Sequence, residues 1–224
     1  PNAISSYAAL ACIAIQANQN EMHGGQSVPN FDYSMAQGVD KTYSKEYFKA
    51  LIQFFQVSKA MPYDQVKAMV DNVKENLGGH VDMDKAQAYG QKVAGYLPRH
   101  QRENGFEEIT QEEALQAAQY AAQTAWRETD KATYQAMEAL IHNLNTMHSR
   151  AGAQTPFSSI NYGTDTSPEG RMVMKNVMLA TEAGLGNGET PIFPIQIFRV
   201  KEGVNYNPGE PNYDLFKLAM RCSA

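Results

Sequence analysis

The chain is poor in cysteine, has no excess of positive charge and contains no long apolar run. Its two cysteines, Cys12 and Cys222, make neither a disulfide framework nor a CxxC pair, which fits a reducing compartment such as the cytoplasm. A net charge of −5 leaves no basic footprint for a nucleic-acid backbone. Single nucleotides are not excluded, because a few placed backbone N–H groups and one arginine suffice to hold them. No stretch approaches the ~18 apolar residues of a membrane span. The opening PNAISSYAALACIAIQ is apolar but lacks a basic n-region and a cleavage signal, so it is not a secretory peptide. The five histidines show no His-x-x-x-His or Glu-x-x-His spacing, and no metal site is expected. No Ser-His-Asp set has a nucleophile-elbow context. There is no initiator Met, and the ending RCSA stops on an apolar helical pattern without a glycine cap. Both ends therefore read as cuts through a longer chain.

What is present is an ordinary globular composition, 43% hydrophobic and 19% charged over 224 residues, enough for the core of one domain or two small ones. Ile4, Ala8, Ala11, Cys12 and Ile15 recur at helical spacing and predict a helix over 4–22, stopped by Gly24 and Gly25. Further helices are expected over 44–57, capped by Ser44, and over 63–77 and 82–96, the last ending before Pro98. The strongest pattern runs from Thr110 to Met147. Thr110 and Glu113 form a capping box, and Leu115, Ala118, Ala122, Ala125, Thr129, Thr133, Ala136, Leu140, Leu144 and Met147 follow every three or four residues. A helix of that length spans roughly 57 Å. Its stripe of small residues suits close packing on a partner helix, in this chain or in a second subunit.

After His148 the rhythm changes. Thr155–Asn161 reads as a strand. Ser167 as N-cap and Pro168 at the first helical position open a helix to about Ala183. Pro191–Val200 reads as a buried strand, and a last helix begins near Tyr213. Strand, helix, strand, helix is the rhythm of α/β architecture with parallel strands. The chain thus reads as helix-rich α/β, mainly helical over 1–147 and strand-helix-strand-helix over 148–224.

Several loops invite a functional reading. Ser149–Gln154 offers a guanidinium at Arg150, a hinge at Gly152 and an amide at Gln154, although its composition alone suits an ordinary helix-to-strand connection. Met22–Asn30 reads as a glycine-terminated helix followed by a turn. Gly184–Thr190 is rich in glycine, but its order of helix, glycines and strand is the reverse of a phosphate cradle, so it reads as a structural turn. Ser167-Pro168-Glu169 has better geometry for phosphate, yet Asp165 and Glu169 would repel an anion. Cys12 and Cys222 fall on predicted helices, where cysteine behaves as a small hydrophobe.

Four stretches, HSRAGAQTPFSSINYG (148–163), TSPEGRM (166–172), GLGNGETPIFPIQIF (184–198) and GVNYNPGEPNYDLFKLA (203–219), closely resemble the central part of the large subunit of anaerobic (class III) ribonucleotide reductases. The likeness is dense over 143–224, looser over 1–48, and carries no motif over 58–109. It implies an incomplete portion of the α/β barrel shared with glycyl-radical enzymes, with long helices at a homodimer interface. The implied reaction removes the 2′-hydroxyl of ribonucleoside triphosphates by glycyl and thiyl radical chemistry, often with formate as reductant, for deoxyribonucleotide synthesis and DNA replication. By the resemblance, Ser149, Arg150, Ala151, Gly152, Ala153 and Gln154 form the specificity loop between a dNTP or ATP effector and the substrate. Gly24, Gly25 and Gln26 form a second effector loop. The glycyl radical, its zinc-binding cysteines, the thiyl cysteine and a separate iron–sulfur, S-adenosylmethionine activase are expected outside this stretch. No catalytic residue is expected within it, and the fragment alone is expected to be inactive. Val93-Ala94-Gly95-Tyr96 is similar to the motif around the radical glycine, but lies in the wrong part of the chain and has no CxxC nearby. Two other readings are an isolated nucleotide-binding and dimerisation module, and a glycyl-radical enzyme of the formate-lyase type. The specificity loop argues against the latter.

Overall fold

The computed structural model describes residues 1–22, 24–103, 108–148 and 154–224. It is 67% helical, with one small parallel sheet. Two compact units are present, one made of Pro1–Val39 and Asp130–Ala224, the other of Asp40–Thr129.

The first unit holds helix α1 (Ile4–Glu21), strand β1 (Gln26–Val28), the start of helix α2 (Phe31–Ser58) and the end of helix α5 (Gln111–Thr146). Strand β2 (Ser158–Tyr162), helix α6 (Pro168–Ala183), strand β3 (Ile195–Phe198) and helix α7 (Tyr213–Cys222) complete it. The sheet order is β1-β2-β3, all parallel, with Val28 opposite Ile160 and Asn161 opposite Ile197. Ser158, Ile160 and Tyr162 of β2 are buried on one face. On the other face Ile195 and Ile197 are 46% and 45% exposed. The expectation of a buried strand over 191–200 is therefore corrected. The pairing is only four residues long because Pro194, after a cis peptide, has no N–H to give to a ladder, and one face of β3 lies open.

The α6 prediction holds in detail. The Ser167 hydroxyl accepts from the Gly170 N–H at 3.1 Å, and Pro168 occupies the first turn. The α5 capping box also forms. The Thr110 N–H donates to Glu113 Oε2 at 2.8 Å, and the Glu113 N–H donates to Thr110 Oγ1 at 3.2 Å. Most of the small-residue stripe on α5, from Ala118 through Ala125, Thr129, Thr133 and Ala136 to Leu144, is buried within this chain. Only at its end does Met147 become exposed. The stripe is thus occupied by the chain's own packing, not left free for a second subunit.

The second unit comprises the rest of α2, helix α3 (Tyr63–Leu77), a 3-10 turn (Met83–Lys85), helix α4 (Ala86–Glu103) and the first part of α5. Its core gathers Tyr47, Leu51, Phe55, Val66, Val70, Val93 and Leu97, each fully buried. Each such side chain contributes about 1.5–3 kcal/mol relative to exposure. Tyr47 packs edge-on against Phe48 and Tyr89, with centroids 5.6 and 5.7 Å away, the geometry favoured by ring quadrupoles.

Two helix boundaries differ from the sequence reading. Helix α2 starts at Phe31, not Ser44. Ser44 is a buried mid-helix residue whose hydroxyl accepts from the Val81 N–H at 3.1 Å. Gly38, which breaks the helical pattern, is needed there because a Cβ would lie 2.9 Å from the Tyr7 ring and 3.0 Å from the Ile4 backbone. The helix expected over 82–96 begins as the 3-10 turn and runs on through Pro98 to Glu103. Burial of Val93, Ala94, Leu97 and Gln101 holds it together past the proline. Gly95 consequently sits in mid-helix, not in a loop.

Candidate functional site

Of the two loops singled out by resemblance, the one at Gly24–Gln26 lies at the start of the sheet. Ser149, Arg150, Ala151, Gly152 and Ala153 lie outside the described residues, as does His23. Gln154 is described and exposed, three residues ahead of Phe157. The second loop comes from the other direction. Gly24, at φ +99°, turns the chain out of α1, and no Cβ contact would oppose a side chain there, so the requirement is conformational. Gly25 is held differently, since a Cβ would meet the Phe157 ring and carbonyl at 3.3 and 3.4 Å. Gln26 donates its backbone N–H to the Phe157 carbonyl at 2.8 Å, and Gln19 donates its amide to the same oxygen at 2.9 Å. The Asn18 amide donates to the Gln26 side-chain oxygen. Parallel pairing of β1 with β2 thus brings Gly25 and Gln26 against Phe157, three residues after Gln154.

The end of α5 is anchored to the entry of β3. Asn145 Oδ1 accepts from the backbone N–H groups of Ile192 and Phe193 at 2.9 and 3.0 Å, and its amide donates to the Phe193 carbonyl at 2.5 Å. Helix α5 is therefore tied by one side chain to the segment that enters β3, the strand next to β2.

The motifs that carried the resemblance are largely structural. The Asp32 carboxylate is fully buried and accepts three consecutive backbone N–H groups, from Gly163, Thr164 and Asp165, at 3.0 to 3.1 Å through Oδ2. Asn205 and Asn212, both fully buried, donate to the Gly163 carbonyl. Arg171 makes a bidentate pair with Asp214 at 3.0 and 2.6 Å, and this guanidinium holds the Asp214 carboxyl below its ordinary range. Glu210 accepts from the N–H groups of Gly203, Tyr206 and Asn207, which likewise lowers its pKa. The N-terminus of α6 is filled by the chain's own groups, because Asp165 accepts from the Ser167 N–H and a Cβ on Gly170 would lie 2.1 Å from Asp165 Oδ2. That leaves no room for a phosphate. The Gly184–Thr190 segment is a closed turn, with Gly184 at φ +77° and the Leu185 N–H donating to the Glu189 carbonyl at 3.0 Å.

Neither cysteine sits in an activating environment. Cys12 is buried on α1, its S–H directed at the Leu140 carbonyl 3.9 Å away, and burial pushes its thiol up to about 11. Cys222 is half-buried and also raised, chiefly by burial. Thiols of this kind are packing residues rather than nucleophiles. The sequence reading did not bring Asp40 together with His80 and Asp82, whose donor atoms all lie within 4.8 Å of one another. Ligand-spacing rules find partners on one helix or loop, and these residues come from two segments.

No described helix is long and apolar enough to cross a membrane. The family model for anaerobic ribonucleoside-triphosphate reductase (NRDD) matches residues 1–224. Over 97 residues, 43% of this chain and 14% of the relative, the sequence is 38% identical to the anaerobic ribonucleoside-triphosphate reductase of Escherichia coli K12. Over 101 residues, 45% of this chain and 16% of the relative, it is 42% identical to the protein of that name from Enterobacteria phage T4. The chain thus aligns with only a small part of each curated relative. The buried Asp32, Asn205 and Asn212 anchors lie in segments with the family resemblance, and the family model spans every one of them: the chain belongs to the anaerobic ribonucleoside-triphosphate reductase family.

Proposed function

We propose that this chain is the effector-reading part, with some of the barrel wall, of a cytoplasmic enzyme that reduces ribonucleoside triphosphates to deoxyribonucleotides by glycyl and thiyl radical chemistry. The observation that carries the reading is the convergence of Gly25 and Gln26 on Phe157, three residues after Gln154. A dNTP or ATP effector at that end of the sheet would touch one loop with its base and sugar. The other loop would respond through Arg150 and Gln154 and pass the choice to the substrate.

The sheet suits the barrel part of the proposal. Its open face presents Ser27, Ser159 and Asn161 beside Ile195 and Ile197, a mixed lining appropriate to the substrate side of a barrel. The glycyl radical, zinc and the iron–sulfur, S-adenosylmethionine activase belong to the parent enzyme in this reading, and this segment supplies no radical-bearing residue. A homodimer would use the outer face of α1, where Leu10 and Ile13 are about half exposed beside a cleft of about 300 Å³ between α1 and α5. The exposed Ala9 and Ala139 line that cleft, so a partner helix could approach closely there.

The test is a four-substrate competition assay in the full-length enzyme, with and without each dNTP. A guanidinium is permanently charged and holds phosphate or a base carbonyl in a fixed fork. Arg150→Ala is expected to leave radical yield unchanged and to flatten effector-dependent selection, a coupling of about 1–3 kcal/mol. Gln154→Ala should change which base is preferred more than the overall rate. Unaltered selectivity in both variants would make the loop a mere connector.

A further inference from the structure

Within the second unit, Asp40 on α2 faces the His80-Val81-Asp82 segment that leads into the 3-10 turn. His80 Nε2 lies 3.1 Å from Asp40 Oδ1, 3.0 Å from Asp40 Oδ2 and 3.2 Å from Asp82 Oδ1. A ring nitrogen carries at most one hydrogen. One N–H can make a straight hydrogen bond to only one of the two residues, so the other contact is at best a bent, shared one. Lys85 does not fill the gap. Lys85 Nζ reaches Asp82 Oδ2 at 2.8 Å, which leaves Oδ1 turned toward His80. Asp84 adds further negative charge, and partial burial raises the Asp40 pKa although His80 opposes the rise.

The segment is set before any ion arrives. Val81 is buried, and its N–H donates to the Ser44 hydroxyl one helical turn beyond Asp40. With Val81 anchored inward, its neighbours His80 and Asp82 both reach the same point outside. We propose that Asp40, His80 and Asp82 form a site for a divalent transition ion of the zinc class, which joins α2 to the 80–82 segment. The donor set of one imidazole and two carboxylates is one that zinc accepts. Ligand bonds of about 2.0–2.2 Å at a tetrahedral ion separate donor atoms by roughly 3.3–3.6 Å. The two His80-to-carboxylate spacings of 3.0 and 3.2 Å need to open by only a few tenths of an ångström, and all three donor atoms already lie within 4.8 Å of one another. The ion supplies the positive charge that a single proton cannot distribute, and solvent reaches the fourth position because the His80 side chain is 48% exposed.

The probes are Zn2+ and Co2+, added to the chelator-stripped protein. Binding is followed by calorimetry, and the visible bands of Co2+ report its ligands. The wild type is compared with His80→Ala and Asp40→Asn, each checked for unchanged helicity by circular dichroism. The expected result is one more Zn2+ equivalent in the wild type than in His80→Ala, about tenfold or more weaker binding in Asp40→Asn, and loss of the corresponding Co2+ bands. Equal stoichiometry in wild type and His80→Ala overturns the proposal. So does a wild type in which His80→Ala changes only the acid unfolding profile, because the cluster is then a proton-bridged ion pair. Should His80→Ala fail to fold, Asp40→Asn and His80→Gln decide the matter by the same two readouts.

Discussion

Removing the Asp32 carboxylate should cost this protein a large part of its stability. One oxygen of Asp32 accepts from three successive backbone N–H groups at 3.0, 3.1 and 3.1 Å, and the residue is fully buried. A hydrogen bond to a charged group contributes about 1.5–3 kcal/mol net, and a buried donor left without a partner costs about 1–3 kcal/mol. The three share an oxygen, so their worth is less than three times one bond. For Asp32→Ala we expect a loss of about 3–5 kcal/mol, against a typical total of roughly 5–15 kcal/mol. Asp32→Asn keeps one carbonyl oxygen for the three donors. It loses the charge and turns an NH2 toward the Tyr33 N–H, which now donates to Oδ1 at 3.1 Å, so its loss should be about 2 kcal/mol. Urea unfolding at neutral pH, with the neighbouring exposed Tyr33→Ala as control, measures all three. A loss below about 1 kcal/mol in Asp32→Ala would refute the assignment of this carboxylate as the clasp between the start of α2 and the β2–α6 loop.

Other substitutions separate packing from assembly. Ala125 is fully buried, so Ala125→Glu should destabilise the fold by at least about 3 kcal/mol in thermal melts. Leu10→Glu on the outer face of α1 should leave the melt unchanged and weaken self-association in sedimentation; no change in association would sink the α1 interface. Gly163 sits at φ +135°, and a Cβ there would lie 2.6 Å from the Arg199 carbonyl oxygen; Gly163→Ala should lower the urea midpoint, and a neutral result would mean that the β2 exit relaxes freely. Arg171 lowers the pKa of Asp214. The stability from that pair is therefore fully present above the unfolded value near 3.9 and lost as pH falls through the lower folded value. Asp214→Asn should remove that component of the acid titration, and superimposable acid profiles would show that the pair adds nothing.

What was legible in the sequence was whatever is decided locally. Thr110 with Glu113, and Ser167 with Pro168, are caps written within four residues, and both form. The family likeness was readable because Asn205, Glu210 and Asn212 occur in one short run. What escaped is decided by distant partners. β1 is three residues long and has no period of its own; it becomes a strand because β2 lies beside it. The requirement for Gly38 comes from Tyr7, whose ring lies where a Cβ would be. Pro98 reads as a stop until the burial of Leu97 and Gln101 is known. The open face of β3 was hidden because PIFPIQIF is apolar on both sides. In the candidate site, the convergence of Gly25 on Phe157 depends on strand pairing, which no spacing rule encodes.

The Asp32 bonds join residues 131 to 133 positions apart, and β1 meets β2 over a similar interval. By contrast, β2, α6 and β3 are consecutive. The local β-α-β element can form first and wait for the N-terminal segment to return. Closing a loop of that length costs about 4 kcal/mol in chain entropy, of the same size as the Asp32 clasp that secures it. Doubling the loop would add only about 0.6 kcal/mol. The sheet is therefore almost indifferent to how much chain lies between its first two strands. The stretch from 58 to 109, in which no family motif was found, falls within that interval, where evolution could lengthen or rewrite the chain at little cost to the pairing of β1 with β2.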